Sequence, residues 1–68
     1  MSRAVNVNYF KAGFYALNTR RNETVYLIHK LDIDEIGESI WIVESENEKK
    51  GVYLEYENKL TNPYYWGD

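Results

Sequence analysis

The sequence predicts an all-β fold, a small antiparallel barrel of five strands, and three observations carry that prediction. First, two stretches repeat with period two. In residues 24–31, Val25, Leu27, His29 and Leu31 alternate with Thr24, Tyr26, Ile28 and Lys30; in residues 52–57, Val52, Leu54 and Tyr56 alternate with Tyr53, Glu55 and Glu57. Second, Ser39-Ile40-Trp41-Ile42-Val43-Glu44 is the most apolar run and is hydrophobic on both alternating faces, as an interior strand is. Third, the strand-like segments recur about eight to twelve residues apart, separated by polar turns, and no stretch of useful length carries a helical period.

In chain order, residues 1–8 alternate weakly through Val5 and Val7 and read as an edge strand or a frayed terminus. Gly13 interrupts a strand-like run and marks a bulge or tight bend before a strand at residues 14–18. Residues 19–23 form the first polar turn, where Asn22 takes positive φ at low cost. The strand at residues 24–31 follows, rich in β-branched and aromatic side chains. An acidic connection at residues 32–38 ends in the turn signal Gly37 and leads into the apolar strand. A charged hairpin loop at residues 45–51 precedes the strand at 52–57. Asn58 and Pro63 then punctuate the chain, with one tight helical turn that seats Leu60, and Tyr64-Tyr65-Trp66 forms a last short strand with Tyr64 and Trp66 inward.

The 68 residues make one domain with a single thin core. Cores of this size rarely supply more than about 3–5 kcal/mol without a staple. There is no cysteine, so neither a disulfide nor a thiolate metal site is available. Seven Tyr, two Trp and two Phe supply the buried area instead. The absence of a leader-like apolar segment, of cysteine and of any long apolar run leads to the expectation of a soluble cytoplasmic protein with no membrane partner. The net charge of −3 is uneven: residues 1–31 hold five basic groups against Glu23, a net +4, and residues 32–68 hold three against ten acids, a net −7. Strands pairing across the two halves would average this field out.

The order strand, polar loop, strand, acidic loop, strand, hairpin, strand, helical turn, strand resembles that of the Src-homology-3-like and Tudor-like small barrels. The resemblance lies in element order. The acidic first loop and Trp-Trp pair of the proline-binding Src-homology-3 domains are absent, so the resemblance implies a fold and no function.

No catalytic, metal or nucleotide motif stands out. His29 is the single histidine, and with no second His or Cys it cannot build a transition-metal site of the usual kind; it reads as a half-buried inner-face residue near a barrel end. Ser2, Ser39 and Ser45 lack the neighbours a nucleophile needs. Asp32, Asp34, Glu35 and Glu38 begin like a calcium loop, but Ile36 stands where a third ligand belongs, so they read as a solvated acidic loop. No cofactor is expected.

The aromatic residues carry the functional expectation. With Leu27, Ile42 and Leu54 inward, strand geometry sends Tyr26, Trp41 and Tyr53 outward together, an apolar centre rimmed by Glu44 and Glu55. That arrangement predicts a non-enzymatic binding protein whose partner-binding residues are Tyr26, Trp41 and Tyr53, with Arg20 and Arg21 steering an acidic protein partner. A regulator, inhibitor or adaptor is the expected type; short acidic binders of this kind are common in phages. The alternative is a nucleic-acid-binding barrel using Arg20, Arg21 and the aromatics, which the negative charge disfavours. A subunit of a homo-oligomer closed through the same aromatic face is the third reading.

Overall fold

The computed structural model describes residues 2–32, 37–47 and 51–67. Within them the chain is all-β. Six strands form one antiparallel sheet: β1 (Arg3–Asn6), β2 (Tyr15–Asn18), β3 (Glu23–Asp32), β4 (Ser39–Ser45), β5 (Val52–Tyr56) and β6 (Leu60–Gly67). A 3-10 turn at Glu57–Lys59 joins β5 to β6. The spatial order is β1-β6-β2-β3-β4-β5, so β1 and β5 are the two edges.

Two features correct the expected five-stranded barrel. The N-terminal residues supply a sixth strand, β1, paired to β6 from Arg3↔Gly67 to Asn6↔Tyr64. The hydrogen-bonded sheet is also open rather than closed, because β1 and β5 do not pair. The element order from β2 onward, with its helical turn before the last strand, is the expected one. Asn22 has φ 56° in the β2–β3 turn and Gly13 has φ 98° in the turn before β2, both left-handed conformations that Gly and Asn tolerate best.

Bulges set which side chains face the core. On β3 the register slips between Leu27, opposite Val43, and His29, opposite Ile42. The extra residue, Ile28, reverses the phase of the strand. Val25 and Leu27 therefore face the core, while His29 and Leu31 turn to the other side, and the expectation of an inward His29 is corrected. On β6 a second slip lies between Tyr15↔Tyr64 and Leu17↔Thr61, where Asn62 adopts φ 54° beside Pro63. Pro is at home at such a site because no ladder donor is needed.

The same register overturns the expected core. Leu27 meets Val43, and Val43 meets Tyr53, so the inner face of β4 and β5 is Trp41, Val43, Tyr53 and Glu55. Ile42 and Leu54 pair with each other on the outer face. Trp41 is 2% exposed and Leu54 is 54% exposed. The core consists of Ala16, Val25, Leu27, Trp41, Val43 and Leu60, with Phe10, Phe14 and Tyr53 packed against it. Full burial of aliphatic groups of this size contributes about 1.5–3 kcal/mol each.

Candidate functional site

Two places concentrate chemistry, one on each side of the sheet. On the inner face, Tyr53 and Glu55 of β5 meet Asn18 of β2 and Glu23 of β3. Asn18 Nδ2 lies 2.9 Å from the Tyr53 hydroxyl and 2.9 Å from Glu55 Oε1. Asn18 Oδ1 accepts the Arg20 backbone N–H at 2.9 Å. The Tyr53 hydroxyl donates to Glu23 Oε2 at 2.6 Å, and Ser45 and Asn47 donate to Glu23 Oε1 at 3.0 and 2.6 Å. Arg20 donates from Nε to Glu55 Oε1 at 2.8 Å, and the Arg21 guanidinium sits 3.9 Å over the Tyr53 ring.

This network is saturated. Among the described residues no buried side-chain nitrogen or oxygen lacks a partner. Burial pushes the Glu55 carboxyl up, but hydrogen bonds from Arg20, Asn18 and the Tyr56 N–H outweigh it and hold it below the usual range. Glu23 is also held low, chiefly by the Tyr53 hydroxyl and then by Ser45 and Asn47. Tyr53 is pushed up to about 12 by burial and by its bond to Glu23. Satisfied buried groups of this kind fix a fold.

The outer face differs. A row of four rings crosses three strands: Tyr26 of β3, Tyr15 of β2, then Tyr64 and Trp66 of β6. Their centroids step by 5.2, 5.5 and 5.6 Å. Tyr15, Tyr26 and Tyr64 are half-buried against one another, and Trp66 is 55% exposed. Burial in this row raises the Tyr15 hydroxyl, helped by the charge of Glu46. Beside the row lies an open cavity of about 400 Å³ walled by Asn6, Leu17, Thr24, Asn62, Pro63 and Tyr64. Toward the β5 edge the face continues as aliphatic surface, with Ile42 opposite Leu54 and Ile40 opposite Tyr56, and with Val52 61% exposed.

The expected site residues are thus divided. Arg20, Arg21 and Tyr53 come together, but on the inner face and in internal contacts. Tyr26 lies on the outer face, in the row of rings. Trp41 belongs to the core, with its indole N–H donated to Glu57 Oε2 at 2.8 Å, and cannot serve as an exposed anchor. Nothing in the sequence alone marks Tyr15, Tyr64 and Trp66 as site residues. Tyr64 and Trp66 were expected inward, and their period-two spacing does place them together, but on the outer face, with Tyr65 stacked on Phe14 at 5.2 Å on the other side. Only the bulge at Asn62 decides between those two assignments.

The acidic loop lies mostly outside the described residues. Among the described residues no three His, Asp or Glu side chains are placed to hold a metal ion, and no helix is long and apolar enough to cross a membrane. No protein-family model matches the chain, and neither does any curated protein or solved structure.

Proposed function

We propose that this is a small non-enzymatic binding protein, of regulator, inhibitor or adaptor type, that engages a protein partner through the outer face of its sheet. One observation carries the reading: the ring row of Trp66, Tyr64, Tyr15 and Tyr26 and the aliphatic patch of Ile42, Leu54 and Val52 share the outer face, with Glu44 and His29 between them, and Trp66, Leu54 and Val52 are more than half exposed. Exposed apolar surface of this extent on so small a domain is a mark of interfaces, and Tyr and Trp are their usual anchors. Glu44, between Tyr26 and Val52, and Glu46, near Tyr15, set acids within and beside the apolar groups. The fitting partner therefore combines apolar and basic groups.

The Asn18–Glu55 hydrogen bond, which joins β2 to β5 across two intervening strands, and the element order support a further reading of the domain as an opened form of the Src-homology-3-like small barrels, with β1 as an added strand. Nucleic acid ranks second as a partner. The rings of the outer row could stack bases, but Arg20 is held by Glu55 and Arg21 by Tyr53, both on the opposite face.

The test is affinity purification of the tagged chain from its host, beside a Trp66→Ala, Leu54→Ala variant that keeps the wild-type circular dichroism. A protein that survives nuclease and high-salt washing and is lost with the variant is the expected result. Release of everything bound by nuclease or by salt would overturn the reading in favour of phosphate contacts.

A further inference from the structure

The sheet has two free edges, and one hydrogen bond determines what the β5 edge offers. The Ser45 N–H donates to the Gly51 carbonyl at 3.0 Å, and Glu44 stands opposite Val52. Ser45 and Gly51 are therefore a hydrogen-bonded pair, and such pairs alternate along an antiparallel ladder. Tyr53 and Glu55 bond back to β4, whereas Val52, Leu54 and Tyr56 turn their backbone N–H and C=O groups away from it. The Tyr56 N–H is already taken, by Glu55 Oε2 at 3.0 Å. Val52 and Leu54 remain, two edge residues of one parity whose aliphatic side chains are 61% and 54% exposed on one face.

Edge strands are ordinarily guarded by Pro, by a bulge or by an unpaired inward charge. β5 has no Pro, and its register to β4 runs without a slip from Val52 to Tyr56. Its inward charge, Glu55, is neutralised by Arg20 at 2.8 Å. The opposite edge, β1, carries exposed Arg3 and Asn6 instead.

We propose that β5 pairs with β5 of a second copy of this chain, antiparallel about a twofold axis at Tyr53. Val52 of each copy then stands opposite Leu54 of the other, and these two pairs use the backbone N–H and C=O groups of both residues. On the inner face Tyr53 meets its own mate and Glu55 faces Gly51, so no like charges oppose one another. A twofold axis at Leu54 would set Val52 against Tyr56 and would have to strip the Tyr56 N–H from Glu55. Charge permits the contact although the chain is net −3, because each inward acid at this edge has its own cation: Glu55 has Arg20, and Glu23 has Arg21 nearby. The apolar outer surface becomes continuous across the pair through Leu54 and Ile42. One strand pair buries well below the roughly 1,600 Å² of a standard interface, so the dimer is weak and forms only at high concentration. The proposal does not rest on the protein-partner reading, and its test uses the purified chain alone.

Sedimentation equilibrium from about 10 μM to about 1 mM, a range that spans weak association, should show the mass rising from 8.1 kDa toward twice that value. Over the same range the Val52 and Leu54 amides should shift and exchange more slowly, while those of Tyr53 and Glu55, bonded within the chain, should not change. Leu54→Pro removes an edge donor without touching a β4 bond and should keep the chain monomeric. Should that variant fail to fold, Val52→Lys with Leu54→Lys sets like charges opposite each other at two surface positions and should do the same. A chain that stays at 8.1 kDa throughout overturns the proposal. So does an association that leaves the Val52 and Leu54 amides unaltered, since that would be contact between outer faces.

Discussion

Asn18 donates to Glu55 Oε1 at 2.9 Å although two strands, β3 and β4, lie between theirs in the sheet. In a flat sheet three strand spacings of about 4.8 Å would hold these side chains roughly 14 Å apart. The sheet must therefore curl on itself, and the inner-face network is the tie across the curl. Asn18 also accepts the Arg20 N–H and binds Tyr53, so no apolar residue can replace it. Asn18→Ala is expected to cost about 2–4 kcal/mol, because it leaves the Tyr53 and Glu55 oxygens without that donor in a closed site. The drop should appear in urea unfolding followed by Trp fluorescence; a midpoint equal to wild type would show that the curl is held by the apolar core alone.

Acid should release the same tie. Glu55 and Glu23 both have folded carboxyls below their ordinary value of 4.5. Groups depressed on folding contribute stability that is complete above the unfolded value and is lost as pH falls through the folded one. The denaturation midpoint should therefore be level near neutrality and fall below about pH 4.5. Glu55→Gln lacks one of the two titrations, so its acid limb should be shallower, with a lower plateau because Arg20 loses its charged partner. A Glu55→Gln limb as steep as wild type would assign acid sensitivity elsewhere.

The exchange of faces at β4 and β5 makes a sharp pair of expectations. Trp41→Ala removes a side chain that is 2% exposed and should cost about 3–5 kcal/mol, enough to unfold most of a domain of this size. Leu54→Ala alters a side chain that is 54% exposed and should stay within about 0.5 kcal/mol of wild type. Thermal melts of the two proteins, run in parallel at low concentration, decide the matter. The reverse ranking would restore Leu54 to the core.

What could be read without coordinates divides along the same line. The positions of β2 to β5, the Asn22 turn, the helical turn before Leu60 and the antiparallel meander of β3, β4 and β5 are local or nearest-neighbour properties, and alternation and turn chemistry report them. The faces were a different matter. Period two says which residues share a side within a strand, but register decides which sides meet, and one extra residue at Ile28 inverts the answer beyond it. Leu27 was rightly placed inward and His29 was not, for that reason alone. The rings of the outer row come from β2, β3 and β6, brought together by pairing between distant segments that spacing cannot show. Asn18 reads as the last residue of a strand, and its side-chain partners, Tyr53 and Glu55, lie three strands away where spacing cannot show them.

Alkali provides the last expectation. The Tyr53 hydroxyl donates to Glu23 at 2.6 Å, so ionising it removes the bond and sets two negative charges together. Its value is pushed up from 10.0 to about 12. A tyrosine raised on folding favours the fold while neutral. Its contribution is complete below the unfolded value and declines as pH climbs through the interval up to about 12. The shift corresponds to about 1–3 kcal/mol. Stability measured by urea should therefore begin to fall at the start of that interval, and absorbance at the phenolate band should show one tyrosine titrating late in the native protein. Tyr53→Phe should lower stability at neutral pH by about 1–2 kcal/mol, because Glu23 and Asn18 each lose a partner. The alkaline decline should flatten in that variant. If Tyr53→Phe kept the whole alkaline limb, the late-titrating hydroxyl would be another tyrosine, with Tyr15, also raised by burial, the one to replace next.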